Sequence, residues 1–209
     1  MAQNRFFIMR HGETVFNAAR RLQSNTMHTP LTRRGCEQAV TMGKKLREEL
    51  GEKPELTIHV SEAGRAQQTA ALICGELGID FFDAHRTDDL VELDMGEWCG
   101  RAYADVEAEH GSIVLDDHLL RPSSEGEDYR DMAARLTRWL ERWQDAPGDH
   151  LVIMHGLSSR VLRGLMTGRD PYHEQGAPVA PSLIQGSISL VENGKESVLY
   201  GSEIGIRHA

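Results

Sequence analysis

The stretch Phe6-Phe7-Ile8-Met9-Arg10-His11-Gly12-Glu13-Thr14 decides the fold of this 209-residue chain. Its first four residues are apolar with no polar alternation, which is typical of a strand buried on both faces of a parallel sheet. A polar loop with a glycine follows at once. The same pattern returns at residues 151–154, which are followed by His155-Gly156. The sequence therefore predicts two buried strands whose carboxyl ends carry polar side chains.

Helical and strand patterns alternate around these two strands. Apolar residues at helical spacing predict a helix over residues 31–50, with Thr32 as its N-cap and Gly51 as its terminator. Further patterns predict a strand at 57–60, helices at 65–77 and 127–144, and strands at 188–191 and 197–200 around Asn193-Gly194. Ser123 or Ser124 is the expected cap of the 127–144 helix. We expect an α/β fold: a three-layer, doubly wound, mostly parallel sheet with helices on both faces and an antiparallel edge.

Length and charge bound the domain organisation and the partners. With 40% hydrophobic residues the chain can form one domain over residues 1–209, in which the irregular stretch 83–124 is long enough for a lid or subdomain. The formal net charge of −9 disfavours polyanions, so we expect neither nucleic acid nor a membrane as partner. No apolar run is long enough for a transmembrane helix or a signal peptide, and we expect a cytoplasmic location. The sequence also allows a homodimer.

Polar residues follow three of the predicted strands. Ligands of open α/β sheets bind beyond the carboxyl ends of the strands, so these residues are the candidates for a site. They are Arg10, His11, Glu13, Thr14 and Asn17 after the first strand, Ser61 and Arg65 after the second, and His155 and Gly156 after the strand at 151–154. Two arginines and two histidines at one sheet edge form an anion pocket, and guanidinium groups match phosphate oxygens bidentately. The expected ligands are a small phosphorylated substrate and inorganic phosphate.

Five blocks of sequence, in a fixed order, carry a resemblance to a known family. They are Arg10-His11-Gly12-Glu13-Thr14 with Asn17, Pro30-Leu31-Thr32 with Gly35, Ser61 with Arg65-Ala66 and Thr69-Ala70, Glu92-Leu93 with Gly96, Trp98 and Gly100, and His155-Gly156. Together they resemble the histidine phosphatase superfamily, a phosphoglycerate mutase-like family, in its phosphatase branch. The resemblance covers nearly the whole chain and implies phosphoryl transfer through a phosphohistidine at His11.

The resemblance also implies a role for each matched residue. His11 is the expected nucleophile and Glu92 the general acid and base, while Arg10, Arg65 and His155 stabilise the transferring group, His155 as a charged or hydrogen-bonding partner. The positive charges of Arg10 and Arg65 are expected to disfavour protonation of His11. The expected substrate-binding residues are Arg10, Asn17, Gln23, Ser24, Arg65, His155 and Gly156. With these donors stabilising the phosphoryl charge, we expect no metal and no other cofactor.

Departures from the family pattern leave the substrate open. Glu62 stands where aspartate is usual, Ser24 replaces a glycine, and residues 124–128 replace the usual Gly-Gly-Glu-Ser segment. Glu13, Asp94 and Glu97 are further carboxylates that compete with Glu92 for the acid role.

Three functions are compatible with these residues. A phosphomonoester hydrolase is the first, because the chain is short and residues 92–98 do not have the basic-aromatic character of a mutase. A phosphoglycerate mutase-type transfer is the alternative within the same chemistry. A non-catalytic phosphate-binding module is the third, although the intact His11 and both arginines argue against it.

Overall fold

One six-stranded sheet organises the computed structural model, which describes residues 4–202. Its strands are β1 (Arg5–Arg10), β2 (Leu56–Ser61), β3 (His85–Thr87), β4 (Asp149–Met154), β5 (Ile188–Glu192) and β6 (Lys195–Tyr200), in the order β3-β2-β4-β1-β5-β6. The first four strands run parallel, β5 is antiparallel to β1, and β6 is antiparallel to β5. The predicted mostly parallel sheet with an antiparallel edge is confirmed.

Helices cover both faces of the sheet. They are α1 (Val15–Ala18), α2 (Arg33–Leu50), α3 (Gly64–Leu77), α4 (Tyr103–His110), α5 (Tyr129–Trp143) and α6 (Gly156–Met166). Successive β1 side chains point to opposite faces: Phe6 and Ile8 pack with apolar residues of α5 and α6, whereas Phe7 and Met9 pack with those of α2 and α3. The alternation explains why the β1 run has no polar member, since both of its faces are covered.

Local capping sets the helix boundaries. The Thr32 hydroxyl accepts a hydrogen bond from the Gly35 N–H at the start of α2, as predicted, and Gly51 ends that helix. The prediction that Ser123 or Ser124 caps the next long helix is wrong. Asp128 caps α5, because its carboxylate accepts from the N–H groups of Arg130 and Asp131 at 2.7 and 2.9 Å. Both serines lie four or more residues before that cap, out of reach of the first helical turn.

Most buried apolar residues of the segment 83–124 pack on the α5 and α6 side of the sheet, whereas Ala84 packs on the α2 and α3 side. The segment contains β3, α4 and several short 3₁₀ turns. Leu90, Leu93 and Leu119 within it are fully buried and belong to the same apolar cluster as Leu136 of α5. Its role as a lid remains a prediction, as does the single domain over 1–209, whose ends at 1–3 and 203–209 lie outside the described residues. In the described part of the chain, no helix is both long enough and apolar enough to span a membrane.

Candidate active site

The carboxyl ends of β1, β2 and β4 meet at one edge of the sheet, and a cavity opens there. Its volume is about 400 Å³ including its mouth. Seven predicted site residues line it: Arg10, His11, Asn17, Gln23, Ser24, Arg65 and Glu92. His155 follows β4 and contacts Arg65 beside the cavity, and Gly156 begins α6 against the Arg10 side chain. The parallel register of β1 with β4 and of β4 with β2 brings these distant segments together.

His11 presents an unprotonated nitrogen next to Arg65. Its Nδ1 lies 2.8 Å from the Gly12 carbonyl oxygen, which can only accept, so the ring proton is assigned to Nδ1. Its Nε2 then has a free lone pair and accepts from Arg65 Nε at 3.2 Å. Burial holds the pKa of His11 well below its ordinary value, and the charges of Arg65 and Arg10 lower it further. The predicted charge effect is present, but desolvation is the larger cause.

Arg65 is fixed by the loop that precedes α2. Its Nη1 donates to the Thr26 carbonyl at 2.6 Å and to the Thr29 hydroxyl at 3.1 Å, and its Nη2 donates to the Ser24 carbonyl at 2.8 Å. The side chain is fully buried, and burial lowers the pKa of Arg65 to about 10. The guanidinium group therefore remains charged at neutral pH in a defined orientation.

His155 is a neutral hydrogen-bonding partner of Arg65. The single Nε proton of Arg65 is shared between His11 Nε2 and His155 Nδ1, each at 3.2 Å. The proton of His155 is therefore on Nε2, which donates to the Ser61 hydroxyl at 2.7 Å. Burial, and next the Arg65 charge, hold the pKa of His155 well below its ordinary value. Of the two forms left open by the sequence, the structure favours the uncharged one.

Glu92 binds the N-terminus of α6 with its carboxylate. Its Oε1 accepts from the Leu93 and Ser158 N–H groups, and its Oε2 accepts from the Leu157 N–H, all at 3.0 Å. The positive end of the helix dipole favours a carboxylate at this place. Each carboxylate oxygen has two lone pairs, and Oε2 uses only one of them in its contact with the Leu157 N–H.

The three competing carboxylates lie elsewhere. Glu13 accepts from the Thr32 hydroxyl at 2.7 Å and lies 3.6 Å from Arg34 at the start of α2. Asp94 accepts from the Ser24 hydroxyl at 3.0 Å, and Glu97 is exposed. Of these four carboxylates, Glu92 alone lines the cavity.

Ser24 occupies a backbone conformation that favours glycine. Its φ of 55° is in the left-handed region, which accounts for the glycine in the family pattern. The serine hydroxyl compensates by donating to Asp94 and accepting from the Met95 N–H at 2.7 Å. These bonds tie the loop that holds Arg65 to the segment that carries Glu92.

Gln185 is a site residue that the sequence did not reveal. Its Nε2 donates to the His11 carbonyl at 3.0 Å and to Asn17 Oδ1 at 3.3 Å. It lies in an irregular segment without periodicity, so no sequence signal points to it. Gln38 is also unpredicted and accepts from the Glu13 N–H at 2.8 Å, whereas Thr69, which accepts from the Gly12 N–H at 3.0 Å, belongs to a matched block.

The loop after β1 passes very close to the start of α2. A Cβ atom added at Gly35 would lie 2.0 Å from the Glu13 carbonyl oxygen, and one added at Gly12 would lie 2.2 Å from the Gly35 carbonyl oxygen. The two main-chain segments can approach this closely because both Gly12 and Gly35 lack a side chain. This close approach fixes the position of His11, which lies between β1 and that contact.

The sheet topology and the histidine and arginine pocket define an α/β protein of the histidine phosphatase type. The model of the histidine phosphatase superfamily (branch 1) matches residues 6–198, and the chain belongs to this family. Its members are phosphatases or mutases. The predicted resemblance is confirmed.

Proteins similar to this chain include some named as mutases and some named as phosphatases. A "Probable phosphoglycerate mutase GpmB" from Erwinia tasmaniensis is 31% identical over 169 residues, covering 78% of this chain and 74% of the relative. A mycobacterial glucosyl-3-phosphoglycerate phosphatase solved with VO3 has a TM-score of 0.74 at 23% identity, covering 95% and 99% of the two chains. The alpha-ribazole phosphatase of Shigella flexneri has a TM-score of 0.70 at 23% identity, covering 98% and 97%. The two solved structures share the fold of this chain.

Proposed function

We propose that this chain is a metal-independent phosphomonoester hydrolase that works through a phosphohistidine at His11. The observation that carries the proposal is the unprotonated His11 Nε2 at a cavity that also contains the Arg65 guanidinium group and the Glu92 carboxylate. A neutral imidazole nitrogen is a good nucleophile for phosphorus, and a covalent intermediate divides one difficult step into two easier ones.

In the first step, His11 Nε2 forms a bond to phosphorus while the bond from phosphorus to the ester oxygen breaks. The electron pair of that bond goes to the leaving oxygen, which receives a proton from Glu92. Arg10 and Arg65 stabilise the charge on the equatorial oxygens, as arginines do in other phosphoryl-transfer sites.

In the second step, the Glu92 carboxylate takes a proton from water as the water oxygen attacks phosphorus. The bond from nitrogen to phosphorus breaks, its electron pair returns to His11 Nε2, and inorganic phosphate leaves. Glu92 is protonated again and ready for the next ester, so the cycle needs no other proton source.

Replacing the nucleophile tests the proposal. We expect His11→Ala to abolish turnover, and labelled substrate to leave an acid-labile, base-stable label on the wild type but not on His11→Ala. His173→Ala, which removes an exposed histidine, is the matched control and should keep both activity and label. More than trace activity in His11→Ala would show that the nucleophile is another group, and binding without turnover in the wild type would favour the phosphate-binding module.

A phosphoglycerate mutase-type transfer is the second candidate, because the Erwinia relative carries that name. The two candidates differ in the acceptor of the phosphoryl group, which is water in one and a second substrate hydroxyl in the other. A hydrolase should release inorganic phosphate from a monoester without a bisphosphate primer. Primer-dependent interconversion of 2- and 3-phosphoglycerate with negligible free phosphate would instead establish the mutase.

A further inference from the structure

Glu92 lies in a stretch of chain that has no regular secondary structure. Residues 91–95 are neither helical nor paired in the sheet, so no ladder of main-chain hydrogen bonds fixes them. The Glu92 side chain binds the α6 N-terminus, but that contact alone does not hold the main chain behind it. A group that fixes this main chain would control where the carboxylate lies in the cavity.

Arg135 of α5 contacts this main chain directly. Its Nη1 donates to the Asp89 carbonyl at 2.6 Å, and its Nη2 lies 3.4 Å from the Glu92 carbonyl. The two carbonyls lie on either side of Leu90 and Val91, the two residues that lead into the acid. One planar guanidinium group therefore ties the segment to the rigid helix α5.

Glu127 holds Arg135 in the required orientation. Its two carboxylate oxygens accept from Arg135 Nε at 2.7 Å and Nη2 at 2.9 Å, and its own N–H donates to the Asp94 carbonyl at 2.9 Å. The side chains of Arg135 and Glu127 are only 10% and 17% exposed. Two parallel hydrogen bonds fix the plane of an arginine, whereas a lysine offers one charged point and no plane.

We infer that Arg135, oriented by Glu127, is a positioning residue that holds the main chain of residues 89–94 so that the Glu92 carboxylate stays in the cavity. The inference rests on the proposed function, in which Glu92 is the acid and base. Arg135 does not line the cavity, and it contacts the site through the main chain of Glu92.

The test compares Arg135→Met with Arg138→Met, a matched control on the same helix. Arg138 lies 3.5 Å from the Asp89 carboxylate, and its side chain is 66% exposed. Arg138→Met therefore removes an ion pair near the same segment but leaves the main-chain contacts of Arg135 in place. For each variant kcat and KM are measured with an alkyl phosphate and with p-nitrophenyl phosphate, together with the rate of phosphoenzyme formation, vanadate inhibition and the thermal midpoint.

A positioning role predicts a loss that depends on the leaving group. Protonation by a general acid contributes roughly 10²–10⁴-fold, and a displaced acid retains part of it, so Arg135→Met should lower kcat for the alkyl phosphate by ~10–100-fold. Phosphoenzyme formation from p-nitrophenyl phosphate, which hardly needs the acid, should change by less than ~3-fold, as should vanadate inhibition. Arg138→Met should match the wild type, and Arg135→Lys should lie between.

A double variant separates this inference from the proposed function. If Glu92→Gln shows the leaving-group-dependent loss, adding Arg135→Met should cost little more, because both act on one step. Equal losses in the rate of phosphoenzyme formation from the two esters in Arg135→Met, or full additivity, would overturn the positioning role while leaving Glu92 as the acid. A Glu92→Gln variant without leaving-group dependence would instead overturn the acid assignment and the inference with it.

A folding defect does not remove the test. Glu127→Gln keeps the shape of the side chain but weakens its hydrogen bonds with Arg135. It should show the same dependence on the leaving group, with a smaller loss of activity. If Arg135→Met fails to fold, Arg135→Lys and Glu127→Gln replace it in the test. A slower phosphoenzyme formation from the alkyl ester alone supports the inference, and an equally slower formation from both esters overturns it.

Discussion

Acid should destabilise this protein through His59, a fully buried histidine on β2. His59 lies between His150 of β4 and the α5 residues Trp139 and Trp143, and it stacks on His85 of β3. His150 Nε2 is 2.9 Å from the Ala146 carbonyl oxygen, so it carries the proton and leaves His150 Nδ1 as an acceptor. His59 Nε2 must then donate to that nitrogen, at 3.1 Å.

A second proton on His59 has no acceptor in the fold. Its Nδ1 is buried and has no hydrogen-bond partner among the described residues. Burial, together with the nearby rings of His150 and His85, lowers the pKa of His59 to about 3. In the unfolded chain the pKa returns to about 6.5. The folded pKa is the lower one, so the stabilising contribution of neutral His59 is complete above about pH 6.5 and declines as the pH falls towards 3.

The expected size of the effect follows from the two pKa values. As the pH falls from about 8 to about 5, His59 binds about one proton in the unfolded chain but stays neutral in the folded protein. This difference lowers the free energy of unfolding by about 2 kcal/mol. His11 and His155, whose pKa values are also lowered by burial, add losses of the same sign.

Urea unfolding at several pH values measures the effect. We expect His59→Leu to lose about 2 kcal/mol less than the wild type between pH 8 and pH 5, since it retains the other buried histidines but not this one. The level of stability at pH 8 will also change, because the substitution leaves His150 Nδ1 without its donor, so the pH dependence is the quantity to compare. His173→Ala should follow the wild type. Equal losses in wild type and His59→Leu would refute the reasoning.

Two further outcomes test the site and its scaffold. Gly35→Ala should lower the free energy of unfolding by roughly 1–3 kcal/mol and reduce activity, because its Cβ would lie 2.0 Å from the Glu13 carbonyl oxygen. Gly75→Ala, whose Cβ would meet nothing within 4 Å, should leave the stability unchanged. Similar unfolding midpoints for the two variants would contradict this prediction. Chelators should leave phosphatase activity unchanged and vanadate should inhibit it, because vanadate can adopt the five-coordinate geometry of phosphoryl transfer; activity lost on dialysis against chelator and restored by a divalent metal would argue against the proposed chemistry.

The sequence by itself determined five of the six strands, the three longest helices and the residues that gather at the strand ends. Two apolar runs without alternation predicted β1 and β4, and Thr32 and Gly51 predicted the ends of α2. Strand burial and helix capping depend on residues that are close together in the sequence, so both can be predicted from it. Arg10, His11, Arg65 and His155 could be named because each lies at or shortly after the end of a strand, and parallel strands bring their carboxyl ends to one edge.

Tertiary structure alone decided the charge states and the choice among carboxylates. His11 and His155 are neutral chiefly because packing removes water from them, and no pattern of adjacent residues encodes that desolvation. Glu92 lines the cavity and Asp94 does not, since an irregular segment is placed by contacts from α5 and α6. Gln185 reaches the His11 carbonyl across 174 residues of chain, a contact that exists only after the strands have paired and the helices have packed.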